Sequence, residues 1–526
     1  MLQVHFHKEA VPMILSACPK TVHRTACCLI TLLLLISMLL PGSARSEEEH
    51  FFTSIEEFYA PHIRLGVQTG SSYDVFCREE FPLCDISYFT SFPDMILQVK
   101  NGSLDGFTVS EVTARELVGS VDGITYLPEQ LDELDVCMAL AKNDTGLKLQ
   151  AQLNEFFSRA TENGTLEAVT EAWLTNDTEH QVTDYQTLES VNGTIRLGTE
   201  SAYAPYDFIR DGSIVGIDID LLIRFCREMG YGLEVTDMSF DALIPSLGTR
   251  SDLVANGITY SDERAKKVLF TVPYSVEKTV MVVRCPIEKT DFFTSLKESF
   301  VSTFIRENRW QLLAQGLWTT LRISLLSGIF GTLLGFGICI LRRRKNKICT
   351  AVTTGYIRLL QGTPIVVLLL ILYYVIFTDP AVSGLTVAVA AFTMNFAAYV
   401  SEMMRTGIEA VPAGQMEAAL AMGYTRKAAF FRIVMPQAAL HFLPVYKGEV
   451  VSLLKSTSVV GYITVQDLTK MSDIIRSRTY DALFPLITTA VIYFAAAALL
   501  GHLVSRIEIR LKPDRVHRGV KGVKTL

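Results

Sequence analysis

Charge-free apolar runs set the pattern of the second half of the chain. Residues 323–341, 359–377, 381–400 and 482–501 are each 19 or 20 residues long and hold no charged side chain. At about 1.5 Å of rise per residue, each run matches the roughly 30 Å hydrocarbon core of a bilayer. A fifth run, 438–465, carries Lys447, Glu449 and Lys455, which must face protein or a water-filled path. The pattern predicts an all-α transmembrane domain with five helices over 300–515. Ahead of it the period changes: residues 193–235 read as a strand, a loop, a hairpin, an amphipathic helix and a second strand, the opening of an α/β lobe. Near the start, Lys20 and Arg24 precede the apolar stretch 26–40, and Pro41 and small residues up to Ala44 follow it. That layout makes 1–45 a signal peptide or a signal anchor, and the exported part begins after it.

Charge divides the 526 residues in the same place. Residues 46–290 hold 18 basic and 41 acidic side chains, and residues 291–526 hold 26 basic and 13 acidic ones. The acidic part would repel phosphate, so nucleic acid is not an expected partner. If residue 300 lies outside, RRRKNK (342–347), then Arg405, Arg426, Lys427 and Arg432, then the tail 506–524 all fall inside, as orientation by positive charge requires. Lys470, Arg476 and Arg478 break that rule by falling in an outer loop. The chain is thus expected to be a multi-pass plasma-membrane protein with an extracellular acidic domain. Cys77 and Cys84 are candidates for a small disulfide, although Cys137, Cys226 and Cys285 leave the exported part with an odd count. No Cys/His spacing there suits a metal, and no cofactor is expected. No G-x-x-x-x-G-K-[ST] occurs, so a Walker A loop is absent, and the chain is expected to be a transport subunit with no catalytic residues.

EAALAMGYTRKAAFFRIVMP (417–436) reads as a cytoplasmic helical hairpin: a short helix, a turn at Gly423 and a second helix ended by Pro436. It resembles the signature loop of ATP-binding-cassette importer permeases, which is EAA, three residues, Gly, nine residues and Ile-x-Leu-Pro. Met435 is the one departure. GLWTTLRISLL (316–326), QGTPIVV (361–367), AYVSEMMRTGIEAVPAGQMEAA (398–419) and LLKSTSVVGYITVQDL (453–468) look like the polar amino acid branch, over nearly all of 310–510. Gln361 stands where that branch usually has Arg before Gly-Thr-Pro. The resemblance implies that Glu417, Ala418, Ala419 and Gly423 form a coupling helix for a separate ATPase subunit. It also implies pairing of the permease domain as a homodimer or heterodimer within membrane lipid.

GTIRLGTESAYAPYDFIRDGSIVGIDIDLLIRFCREMGYGLEV (193–235), FDALIPSL (240–247) and NGITYSDERAKKVLFTVPYS (256–275) resemble lobe one of the family 3 extracellular binding proteins for polar amino acids. IRLGVQTGSSYDVF (63–76), MILQVKNGSLDGFTVSEVTARELV (95–118), VCMALAKNDTGLKLQAQLNEFF (136–157) and ENGTLEAVTEAWL (162–174) resemble lobe two and the closing helices. The implied division is lobe two with closing helices over 48–178, a linker over 179–193 and lobe one over 194–290. The order is reversed, as in a circular permutation; two degenerate tandem domains are the other account. The resemblance makes Arg264 the grip on a ligand carboxylate, since a guanidinium offers two parallel donors. Thr259 and the backbone of Asn256 and Gly257 add donors, Tyr203 and Phe240 sandwich the ligand, and Glu200 attracts a basic one. On lobe two, Thr69, Gly70, Ser71 and Ser72 form a polar turn. Ser110 stands where the family usually offers Asp to the α-ammonium.

Together these resemblances imply an importer subunit, a periplasmic-binding-protein-like two-lobed α/β domain fused to its permease, taking up a polar amino acid or similar small polar solute. A ligand-gated channel also joins a two-lobed clamp to membrane helices, but it has no use for an ATPase docking hairpin. A sensor would need a signalling module after the spans, and the tail from Arg506 is too short for one.

Overall fold

In a computed structural model of the chain, residues 50–210, 212–286, 292–343, 346–379 and 381–511 are described. The expected signal region, 1–45, lies outside them, as does the basic tail beyond 511.

The first segment carries strands β1 (Arg64–Gln68), β2 (Asp85–Phe89), β3 (Gly106–Ser110), β4 (Ile124–Tyr126), β5 (Asp132–Val136) and β6 (Ala139–Leu140). The second carries β7 (Thr194–Thr199), β8 (Ala202–Tyr203), β9 (Asp207–Arg210), β10 (Ser213–Val215), β11 (Gly232–Asp237), β12 (Leu253–Val254), β13 (Leu269–Phe270) and β14 (Ser275–Arg284). One sheet has the order β2-β1-β3-β14-β4, with β5 also on β14; a second runs β11-β7-β12-β6-β13, and β10-β9-β8 form a small third sheet. Parallel pairing of β1 with its neighbours and of β7 with β11 and β12 needs helical crossovers. Helices α1 (Ser72–Glu80), α2 (Phe92–Lys100), α3 (Glu111–Ser120), α4 (Asp144–Glu162), α5 (Thr165–Leu174), α6 (Ile217–Met229) and α7 (Phe240–Ser246) accompany these strands. The central strands are apolar and covered on both faces: every residue of β3 is buried.

The sheets divide the chain differently from the expected 48–178 and 194–290. Strand β6 from the first segment lies in the second sheet, and β14 from the second segment lies antiparallel to β3 in the first. Helices α4 and α5 follow β6 onto the second lobe, where Phe156 meets the Phe225 ring at 5.6 Å and Trp173 Nε1 donates to Asp220 at 3.1 Å. Sequence similarity alone located the segments but not the two crossings, after β5 and before β14. The Cys77–Cys84 disulfide is not formed: the Cys77 thiol meets Thr108 Oγ1 at 3.3 Å and the Cys84 thiol donates to the Phe58 carbonyl.

The membrane half contains α8 (Trp310–Arg342), α9 (Lys347–Gly362), α10 (Ile365–Ile376), α11 (Gly384–Glu409), α12 (Ala413–Ala421), α13 (Arg426–Ile463), α14 (Leu468–Thr479) and α15 (Leu483–Leu511). Among the described residues, four helices (α8, α11, α13 and α15) are long and apolar enough to cross a membrane. The expected span over 359–377 is not one straight helix, because α9 and α10 meet at 107°. Pro364 forces the break: Thr363 before it takes φ −103° and ψ 127°, the extended conformation that the proline ring demands. Pro436 does not end its helix as expected. A π turn at Phe430–Val434 precedes it and absorbs the missing donor, so α13 runs on. Helices α8 and α11 lie in close contact at Gly335, where a Cβ would sit 2.8 Å from the Ala397 carbonyl.

Candidate functional site

The cleft between the lobes is built where strands end. Thr69, Gly70, Ser71 and Ser72 follow β1, with Gly70 at φ +81° and the Thr69 N–H held by the Phe89 carbonyl. From the other lobe, Thr259 meets Ser72 hydroxyl to hydroxyl at 2.5 Å. Arg264 donates to the Thr259 carbonyl at 3.1 Å and, across the cleft, to the Gly70 carbonyl. Burial holds its pKa below the usual guanidinium value. Gln68 Nε2 donates to Glu200 at 2.8 Å, a second tie between lobes. Gln68, Ser71, Ser72, Tyr73, Tyr203, Phe240, Asn256, Gly257 and Thr259 enclose a pocket of about 20 Å³, and Arg264, Gly70 and Phe240 also line an outer mouth of about 800 Å³. Ser71 Oγ is buried with no partner among the described residues and lines the inner pocket, so its bonding capacity is open to a solute.

Most of the expected residues therefore meet, but several have other partners. The Gly257 N–H donates to Asp218 at 2.9 Å, and Asn256 Nδ2 donates to the Glu200 carbonyl at 2.9 Å. Ser110 does not line the pocket: it caps α3, accepting from the Thr113 N–H, and its hydroxyl also supports that of Tyr203. Tyr203 stacks on Tyr206 at 5.7 Å and meets Phe92 of the other lobe edge-on at 5.0 Å, so it joins the lobes as much as it lines the pocket. Beneath it lies an acid pair absent from the expectations. Asp218 accepts from Tyr274 Oη and the Gly257 N–H, while Asp207 is raised well above the carboxylate range by burial and by the charge of Asp218. The signal for Asp218 was its place, with Asp220, between the apolar residues Ile217, Ile219 and Leu221 of a buried first turn.

Lys470, Arg476 and the lobes explain one anomaly in the sequence. Helix α14 lies against both lobes: Lys470 pairs with Asp237 at 3.3 Å and Arg476 with Asp94 at 2.9 Å. Two of the cations that broke the orientation rule neutralise acids of the clamp. Arg250, 8% exposed, is the third connection. Its guanidinium lies 4.0 Å above the Tyr373 ring and donates to the carbonyls of Tyr373, Phe377, Asp379 and Val382, where α10 ends and α11 is about to begin. Those are the orphan acceptors of a helix C-terminus, which a cation satisfies well.

At the far end of α11 stands the hairpin. Glu417 and Ala418 are exposed and Ala419 is 2% exposed. Gly423 takes φ +86°, which lets its N–H reach the Leu420 carbonyl and the Tyr424 N–H reach that of Ala419, closing α12 with a glycine stop. Between these ends a cavity of about 540 Å³ is lined by Gln361, Thr363, Asn395, Tyr399, Glu449 and Ser452 among others. Glu449, the charge that had to face protein or water, faces this cavity.

A two-lobed α/β domain joined to helices long and apolar enough to cross a membrane is the architecture of a membrane protein that carries its own receptor-like domain. Residues 195–425 match the bacterial extracellular solute-binding proteins, family 3. The chain is 30% identical over 204 residues to a putative glutamine transport system permease protein of Rickettsia conorii, covering 38% of this chain and 92% of that protein. It is 33% identical over 213 residues to the L-cystine transport system permease protein of Bacillus subtilis (39% and 89%) and 33% identical over 219 residues to the octopine transport system permease protein of Rhizobium radiobacter (39% and 89%). A crystal structure of an amino acid ABC transporter with histidines is 33% identical, with a TM-score of 0.36 over 42% of this chain and all of that one. The chain belongs to the amino acid permeases of ABC importers, with a family 3 solute-binding domain on the same polypeptide.

Proposed function

We propose that this chain captures a polar amino acid outside the plasma membrane and passes it inward through its own helices, driven by a separate ATPase subunit that engages the hairpin around Glu417. The observation that carries this reading is the position of two contacts on one helix. Arg250 of the clamp grips the carbonyls just ahead of α11, and the hairpin follows directly after it. The 26 residues of α11 span about 39 Å, a full membrane. Receptor and docking element thus sit at opposite ends of a rigid rod, the arrangement that turns ATPase closure into movement at the receptor. Relatives named for glutamine, cystine and octopine transport support a polar amino acid or a close derivative as the solute.

Arg264 holds the solute carboxylate, with Ser71, Ser72 and Thr259 supplying further bonds, once the lobes part to admit it by hinge motion. The solute then enters the cavity at Glu449. The connectivity supports circular permutation: residues 194–270 followed by β14, then β1 to β6, α4 and α5, make one clamp with two crossings and no leftover lobe. The permease works as a pair of such domains in lipid, with the clamp extracellular.

Purified full-length protein titrated calorimetrically with the twenty amino acids tests the receptor, and reconstitution with its ATPase in vesicles tests transport. Arg264→Ala is expected to weaken solute binding at least 100-fold. Glu417→Ala is expected to leave binding intact and to lower ATP-driven uptake at least tenfold. Uptake that proceeds without ATP would sink the reading in favour of a channel.

A further inference from the structure

Behind the wall formed by Gln68 and Glu200 lies a second chamber, of about 230 Å³, many times the space that a single water needs. It is bounded by both lobes and by the membrane half: Thr90 and Ser91 come from the end of β2, Glu200 and Ser239 from the other lobe, and Lys470 and Asp473 from α14. The lining carries several hydroxyls together with Lys470, Asp473 and Glu200, opposite charges in reach of one another. Lys470 is half-buried, its side chain 22% exposed. Burial opposes its charge, yet the carboxylates of Asp237 and Glu200 outweigh that and keep its pKa above the usual lysine value. Glu200 is pushed up to about 7 by burial, although Lys470 and Gln68 pull it down.

Glu200 and Gln68 form the partition between the two compartments. Glu200 Oε2 accepts from Gln68, which lines the inner pocket of the clamp, and Glu200 lines the chamber toward α14. That hydrogen bond lies between the two spaces. Tyr462 and Gly461, at the end of α13, form the chamber's floor on the membrane side.

We propose that this chamber is a transit site for the zwitterionic head of an amino acid, occupied after the clamp releases it and before it enters the membrane helices. Lys470 takes the α-carboxylate, Asp473 and Glu200 take the α-ammonium, and the hydroxyls of Ser91 and Ser239 complete the shell. The site rests on the reading of the clamp as a solute receptor. It differs from the clamp site in using a cation of the permease, so a solute bound there touches both halves of the machine at once.

The test is a count of bound solute. Tritiated forms of the twenty proteinogenic amino acids are each equilibrated to saturation with purified full-length protein in nanodiscs. For the one that binds, Lys470→Gln and Ser458→Phe, the first removing the cation and the second filling the chamber, are each expected to hold one molecule per chain fewer than the unaltered protein. Lys470→Arg restores the count, and Arg264→Ala abolishes the tighter class of site instead. An unchanged count in both Lys470→Gln and Ser458→Phe, with Arg264→Ala still deleting the tight site, overturns the transit site and leaves the clamp standing. Loss of the tight class in Ser458→Phe also overturns it, since the two sites are then one. No binding of any of the twenty to the unaltered protein overturns both.

Discussion

Glu200 carries the clearest pH dependence. Its folded pKa, about 7, lies above the ordinary value of 4.5, so the neutral acid is the form that the closed clamp favours. The stability it contributes is complete below about pH 4.5 and is lost as pH rises through about 7. At about 1.4 kcal/mol per unit, the loss amounts to no more than about 3.5 kcal/mol. Glu200→Gln is therefore expected to melt at a higher temperature than the unaltered chain at pH 8.5 and at the same temperature at pH 4.5. Equal melting at both values would mean that Glu200 is solvated. At this scale the sequence announced Arg264, Ser72, Thr259 and Phe240, whose neighbours in the chain carry recognisable motifs. It did not announce what Gly257, Asn256 and Ser110 bond to, because those partners come from distant segments and depend on closure of the fold. Lys470 was visible only as a charge on the wrong side.

Proline positions separate what was legible at the scale of elements from what was not. Apolar length located α8, α11, α13 and α15, since a span needs little beyond about twenty uncharged residues. It could not show that Pro364 breaks a span while Pro436 does not, because the difference lies in whether a preceding π turn accommodates the ring. The broken span has a consequence. The end of α10 exposes carbonyls that Arg250 satisfies from the clamp, so the most irregular helix of the membrane half is the one joined most firmly to the receptor. Arg250→Ala removes a charged donor from several buried acceptors, a change of about 2–3 kcal/mol. It is expected to leave solute affinity within about twofold of the unaltered value and to lower ATP-driven uptake at least tenfold in vesicles. A parallel loss of affinity would show that Arg250 shapes the cleft and does not transmit its closure.

At the scale of the whole molecule, the motifs divide the exported part into two α/β blocks, and the strands of the structure fall within those blocks. The crossings at β6 and β14 were not legible there, because strands of two and ten residues carry no label for the sheet they join. Joining receptor and permease in one chain changes the kinetics of capture. β14 ends at Arg284 and α8 begins at Trp310 on the same polypeptide, and a covalently joined module meets its target at roughly millimolar effective concentration, whatever the abundance of free copies. Encounter between carrier and gate then stops being a bimolecular event. Uptake should scale with the number of transporters alone, and a detached copy of the receptor supplied in the medium should add nothing to it. A rate that climbs with such a supplement would show that the leash leaves the gate unattended. A cell using this chain gives up the freedom to share one scavenger among several gates and gains a gate that is never without one.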